Sequence, residues 1–142
     1  MTFVMLNPST ADATTDDPTL RRCIGFAEDW DCRRLIVVNL FAYRATLPGA
    51  LLRAGFHAEG PENEGHVRAA LADADITVMA WGAHPVARRV PSMSYQFCLG
   101  VGSAWCLGMT KEGSPRHPLY VSRETTLLPW KPARLVPIGA TA

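Results

Sequence analysis

The sequence lacks the features that would assign it to a special class of protein. No apolar run approaches the length of a membrane-spanning helix, and the N-terminus lacks the basic region of a signal peptide. The four cysteines form no CxxC pair, and no histidine stands at zinc-finger spacing from them. These absences favour a cytoplasmic protein with reduced cysteines and predict neither a metal, a cofactor nor a membrane partner.

Neither positive nor negative charge predominates in the sequence. The net charge is only +1, so the chain as a whole exerts no strong electrostatic attraction on nucleic acid. This balance counts against tight non-specific DNA binding, and it leaves a local basic patch open.

What is present is an ordinary globular composition, with 48% hydrophobic and 19% charged residues. The 142 residues fit a single domain, 1–142, that needs no disulfide or metal to fold. Residues 131–142 contain two prolines and a glycine and are expected to form an irregular tail. The first apolar run begins at residue 3, so either the natural start lies upstream or the domain is minimal. Nothing in the sequence indicates an oligomeric state.

Apolar runs typical of strands alternate with segments of helical spacing. The predicted strands are 3–6, 34–41, 76–81 and 104–108, and the predicted helices are 18–30, 48–54, a segment from 61 or 63 to 72, and 94–99. Asp17-Pro18 is typical of a helix start, and Arg21 and Arg22 are expected to face water. This alternation predicts an α/β fold with three layers, α/β/α, around a four-stranded, mainly parallel sheet.

Polar residues follow the end of each predicted strand. In a parallel sheet these carboxyl ends lie along one edge, so the side chains are expected to converge on a site. They are Asn7 with Ser9, Asn39, His84, and Arg116 with His117. Pro8 stiffens the first of these turns. The same turn is equally compatible with a plain strand-to-helix connection.

Four short motifs resemble, in order and approximate spacing over residues 3–120, those of the uracil-DNA glycosylase superfamily. The motifs are Met5-Leu6-Asn7-Pro8-Ser9, Val38-Asn39, Ala80-Trp81-Gly82-Ala83-His84 and His117-Pro118-Leu119. The resemblance implies a uracil-DNA glycosylase-like α/β fold and cleavage of an N-glycosidic bond. The stretches MLNPSTAD and GSPRHPLY resemble, more closely, an uncharacterised bacterial domain family of unknown function, which implies no activity.

The resemblance also implies catalytic roles. Asn7 would hold the attacking water, which an amide can orient but cannot deprotonate. Asp12 or Asp16 would supply a base if their loop folds back. His117 would donate a hydrogen bond to the leaving base as negative charge develops on it.

Asn39 would recognise the base through its paired donor and acceptor, with a buried amide bonded to nearby backbone as the alternative. The substrate-binding set expected from resemblance and position is Pro8, Ser9, Asn39, Phe41, Tyr43, Arg116 and Leu119. Phe41 and Tyr43 would stack on a flat base, Arg44, Lys111 or Arg116 would meet phosphate, and Leu119 or Tyr120 would enter a duplex. For each cation taken singly, a solvated surface charge is the better interpretation. Trp81 is interpreted as core and His84 as a helix-start residue.

Three functional hypotheses follow from these residues. The first is an N-glycosidic hydrolase acting on DNA or a nucleotide, without a cofactor. The alternative is a non-catalytic module of the same fold that binds a nucleotide or a modified base, which the amide at position 7 and the low net charge favour. A third, weaker hypothesis is a cysteine-dependent enzyme that uses Cys106.

Overall fold

Four of the apolar runs pair side by side as parallel strands in the computed structural model, which describes residues 1–10, 16–90 and 92–132. They are β1 (Thr2–Met5), β2 (Ile36–Asn39), β3 (Thr77–Met79) and β4 (Trp105–Cys106). A fifth strand, β5 (Leu128–Pro129), pairs antiparallel to β4. The protein is therefore an α/β protein with a five-stranded mixed sheet in the order β2-β1-β3-β4-β5.

The expectation of four strands was wrong because β5 is too short to leave a periodic pattern. It has only two residues, one of them a proline. Its position depends on Trp130, whose N–H donates to the carbonyl oxygen of Ala104 at 2.8 Å and whose ring packs edge-on to Trp81. The second strand, β2, lies at the opposite edge of the sheet and is half-buried.

The strand order creates a crevice between β1 and β3. The chain leaves β1 toward β2 on one side and later returns to β3 on the other side. At such a reversal the connections diverge from the carboxyl ends of the two strands, and ligands of open α/β sheets bind there.

Five helices connect or flank the strands of the described chain. They are α1 (Pro18–Asp29), α2 (Gly49–Ala54), α3 (Asn63–Ala72), α4 (Val86–Arg89) and α5 (Met93–Leu99), with 3₁₀ turns at Gly55–Ala58 and Pro118–Tyr120. Asp17 caps α1 as predicted, since its Oδ1 accepts from the N–H groups of Thr19 and Leu20 at 2.8 and 3.2 Å. No helix within 1–10, 16–90 and 92–132 is long and apolar enough to cross a bilayer.

Alternate residues of β1 supply the two apolar faces. Phe3 and Met5 pack against α1, in a cluster with Phe26. Val4 and Leu6 point the other way, into a larger cluster that includes Leu51 of α2 and Val67 of α3. Helices therefore cover both faces of the sheet, and the carboxyl ends of the parallel strands are left accessible between them.

Two arginines fasten the segment 118–123 to α1. Arg22 donates to the carbonyl oxygens of Pro118, at 3.2 Å, and of Val121. Arg123 forms a two-point ion pair with Asp29, with N–O distances of 2.9 and 3.0 Å. The expectation that Arg22 faces water was wrong, because these backbone carbonyls and the Phe26 ring beneath it hold the guanidinium against the protein.

Asn63 holds the carboxyl end of β2 from the opposite side. Its side-chain N–H groups donate to the carbonyl oxygens of Asn39 and Leu40 at 2.8 and 3.1 Å, and its Nδ2 lies 3.2 Å from Ser94 Oγ. Glu59 completes the cluster by accepting from the N–H of Ser94 at 2.6 Å. The end of β2 is thus positioned by side chains from helices distant in sequence.

Replacing Asn63 with alanine is expected to lower the free energy of unfolding by about 1–3 kcal/mol, because two backbone carbonyls lose their donor. Urea unfolding followed by circular dichroism measures the change. Gln96→Ala, at an exposed position of α5, is the control and is expected to be close to neutral. An Asn63→Ala protein as stable as the control would contradict the anchoring role.

Candidate functional site

A cleft of about 880 Å³ opens at the crevice between β1 and β3. This volume lies within the range of small-molecule sites, roughly 300–1,000 Å³. Its walls come from the turns that follow β1, β2, β3 and β4 and from the first turns of α1. Among the residues predicted for the site, those that line it are Asn7, Pro8, Ser9, Asn39, Arg44, His84, Arg116, His117, Leu119 and Tyr120.

Hydrogen bonds from its side-chain amide fix the orientation of Asn7. Its Nδ2 donates to the carbonyl oxygens of Ala45 at 3.0 Å, Pro8 at 3.1 Å and, more weakly, Tyr43 at 3.4 Å. These bonds tie the turn after β1 to the loop after β2. Because the amide donors are directed at backbone carbonyls, the side-chain oxygen is the part of Asn7 left to accept from a ligand or a water.

Asn39 ends β2 on the adjoining wall of the cleft. Asn63 fixes its backbone carbonyl, as described above. Within the described residues, the side-chain amide of Asn39 makes no hydrogen bond, so both its donor and its acceptor remain for a ligand. A planar group with adjacent donor and acceptor atoms matches such an amide.

His117 is half-buried at the cleft and has a defined tautomer. Its Nδ1 accepts from the N–H of Leu119 at 3.2 Å, which caps the 3₁₀ turn and leaves the proton on Nε2. Burial lowers the pKa of His117 below its ordinary 6.5, and the negative charge of Asp17 acts in the opposite direction. The ring is therefore a neutral Nε2–H donor near pH 7.

Gly82 brings the end of β3 against the His117 loop. Its φ of 86° lies in the left-handed region that favours glycine, and its N–H donates to the carbonyl oxygen of Pro115 at 3.0 Å. A Cβ at this position would lie 3.3 Å from the Cβ of His117. The close approach of the two backbones helps to determine where the imidazole stands.

The rim of the cleft carries exposed cations and apolar side chains. Arg44 and Arg116 both line it, and Arg116 Nε also donates to the carbonyl oxygen of Met109 at 3.3 Å. Leu119 is 40% exposed and Tyr120 is 80% exposed, directly after His117. A ligand with a flat ring and an anionic group would find both kinds of contact here.

Two predicted aromatic contacts need correction. Phe41 is fully buried in the core with Leu40 and Val4, so it has no face on which a base could stack. Tyr43 is exposed, but its ring is not part of the described cleft wall; its backbone carbonyl is the group that contacts Asn7. Both follow a strand end in sequence, and only the packing of the loop after β2 separates them from the cleft.

Trp81 and His84 have the structural roles inferred from the sequence, although both also border the cleft. Trp81 is 4% exposed and packs edge-on to Tyr95 and Trp130. His84 Nδ1 accepts from the N–H of Val86 at 3.2 Å, at the start of α4. Lys111 is exposed and does not belong to the described cleft lining.

Among the residues that the structure describes, the carboxylate that lines the cleft is Asp17, which the sequence pattern indicated only as a helix cap. Asp12 lies outside the described residues. Asp16 is exposed, forms an ion pair with Arg21 at 2.9 Å and does not line the described cleft. Asp17 does line it, together with Thr19 and Leu20. The signal available in the sequence was that α1 starts at the same sheet edge as the strand ends, since it follows β1.

Three of the four thiols are poor nucleophiles. Burial raises the pKa of Cys23 and of Cys98 to about 12 and also raises the pKa of Cys106. Almost no thiolate forms near pH 7 under these conditions, which counts against a cysteine-dependent enzyme. In the described ranges, no group of three or more His, Cys, Asp or Glu residues is arranged to hold a metal ion.

Gly82→Ala is expected to destabilise the protein by about 1–3 kcal/mol, because alanine is strained at positive φ and its methyl group would press on His117. Thermal or urea unfolding measures the loss. Gly65→Ala in α3 is the matched control, since nothing lies within 4 Å of the added carbon, and it is expected to stabilise by up to about 1 kcal/mol. Equal responses of the two variants would argue against the close approach at Gly82.

The titration of His117 is expected to reflect its burial. Stability contributed by the neutral ring is complete above pH 6.5 and is lost as the pH falls through the lower pKa of the folded state. NMR titration of the imidazole should give a pKa below 6.5 and the Nε2–H tautomer. His117→Asn keeps an acceptor for the Leu119 N–H and should remove this acid-side loss; a wild-type pKa above 6.5 would contradict the prediction.

Comparison with known proteins gives a family without an assigned activity. No curated protein and no solved structure matches the chain. Residues 1–119 match the model of the family described as Protein of unknown function (DUF1643). The match covers most of the chain and every residue that lines the described cleft except Tyr120, and the protein therefore belongs to this family.

Proposed function

We propose that the protein is a nucleobase-directed N-glycosidic hydrolase with a uracil-DNA glycosylase-like fold, acting on DNA or on a nucleotide. One observation carries the proposal: Asn7, Asn39 and His117 come from three distant segments, the turn after β1, the end of β2 and the loop after β4, and they border a single cleft. The cleft is roomy enough for a base and its sugar, and its rim carries two arginines for phosphate.

The chemistry follows from what each side chain still has available. Hydrolysis requires a water placed behind the sugar C1′ and a donor aimed at the departing base. The side-chain oxygen of Asn7 would accept a hydrogen bond from an O–H of that water and so orient it. The Nε2–H of His117 would donate to the leaving base and stabilise the negative charge that develops on it. Asn39 would select the base through its donor and acceptor pair.

A binding module without catalysis is the second candidate, and a specific observation favours it. Position 7 carries a side-chain amide, which is too weakly basic to deprotonate a water, and its N–H donors are already used on backbone carbonyls. With a net charge of +1, the protein would bind through the few cations at the cleft rather than through a broad basic surface.

The test is incubation of purified protein with duplex and single-stranded oligonucleotides bearing uracil, hypoxanthine or other altered bases, and with the corresponding mononucleotides. Alkali cleaves the abasic strands, and chromatography detects released base. We expect base release that falls by about 10²–10³-fold in Asn7→Ala and in His117→Asn, each of which removes one contact to the transition state. Gln96→Ala, at an exposed position that does not line the described cleft, is the control and should retain full activity.

Thermal shift with the same ligands separates the two candidate functions. Stabilisation by a nucleotide without base release would favour the binding module. If no substrate stabilises the protein and no base is released, both candidate functions are contradicted.

A further inference from the structure

The proposed hydrolysis needs a group to take the proton from the attacking water. The amide of Asn7 cannot do so, and His117 is engaged as a donor. Asp17 is the one acidic side chain among the described residues that line the cleft. Its position follows from the fold: α1 begins beyond the carboxyl end of β1, so its capping residue stands at the same edge of the sheet as Asn7.

The two oxygens of Asp17 have different surroundings. Oδ1 accepts from the N–H groups of Thr19 and Leu20, which fixes the orientation of the carboxylate. Within the described residues, Oδ2 makes neither a hydrogen bond nor an ion pair, and the side chain is half-buried at the cleft wall. One oxygen therefore anchors the group while the other remains able to accept a proton.

The negative charge of Asp17 also influences His117, the hydrogen-bond donor of the site. Its charge acts on the pKa of both His117 and Cys23, two residues that border the same cleft. A carboxylate and a neutral imidazole facing one cavity match the division of labour between a base and a donor.

We infer that Asp17 is the general base of the proposed hydrolysis, a role that rests on the proposed function. Oδ2 takes one proton from the water held by Asn7 as the water oxygen bonds to C1′ of the sugar. The bond between C1′ and the base nitrogen breaks, and its electron pair leaves with the base, which His117 stabilises. The proton on Asp17 then passes through solvent to the released base, so the net reaction consumes one water.

The variants Asp17→Asn and Asp17→Ser separate this role from helix capping. Asparagine and serine cap helices about as well as aspartate, so α1 and the melting temperature should be retained. Loss of the base should lower kcat by about 10²–10⁴-fold and remove the acidic limb of the pH–rate profile, with little change in KM. Asp75→Asn is the matched control, because Asp75 precedes β3 at the opposite edge of the sheet; its activity should be unchanged.

Two results would overturn the role of Asp17 without contradicting the hydrolase, and a third would contradict both. Wild-type kcat with an unchanged acidic limb in Asp17→Asn would do so. A loss found in Asp12→Asn or Asp16→Asn instead would place the base elsewhere. Complete lack of hydrolysis by the wild-type protein would remove the proposed function, and the role of Asp17 would fall with it.

A second readout does not depend on activity. NMR titration of His117 in Asp17→Asn should give a pKa lower than in the wild type, because the nearby negative charge is gone. An unchanged His117 titration would overturn the placement of the carboxylate beside the donor.

Discussion

The parallel alignment of β1, β2, β3 and β4 is the constraint on which the rest of the structure depends. It puts four strand ends along one edge, and the reversal of strand order between β1 and β3 opens that edge into a cleft. Antiparallel pairing would send alternate ends to opposite edges and scatter the same polar residues. Among the described strands only β5 is antiparallel, and it lies at the far side of the sheet, where it extends the sheet without reaching the cleft.

The cleft walls are held in position by polar side chains that bind backbone carbonyls. Asn7 ties the turn after β1 to the loop after β2, and Asn63 fixes the end of β2 itself. Arg22 holds the turn that follows His117, and Gly82 lets the end of β3 approach that turn. Loops would otherwise be mobile, and buried carbonyls would lack donors, so the same bonds stabilise the fold and preorganise the site.

The electrostatics of the cleft separate a donor from a potential proton acceptor. Burial favours the neutral form of His117, and the cap on the following turn sets its tautomer. Asp17 uses one oxygen to cap α1, and within the described residues its other oxygen makes no hydrogen bond. Membership of the DUF1643 family assigns no activity, so these side chains provide the chemical basis for a hypothesis about this protein.

Much of the local structure was predictable from the residues alone. Asp17-Pro18 marked the start of α1, the apolar runs marked β1 to β4, and the alternation of strands with helices predicted an α/β fold. Local signals fail where distant partners decide the outcome. Arg22 is held against the protein by carbonyls of the segment 118–121. The position of β5 depends on the packing of Trp130 against Trp81.

The sequence by itself determined which polar residues end each strand, because hydrophobic periodicity and turn residues are encoded locally. Only the tertiary structure decided which of them share a cavity. It buried Phe41, left the ring of Tyr43 outside the described cleft wall and brought Asp17 in, because burial depends on how loops and helices pack against one another rather than on neighbours along the chain.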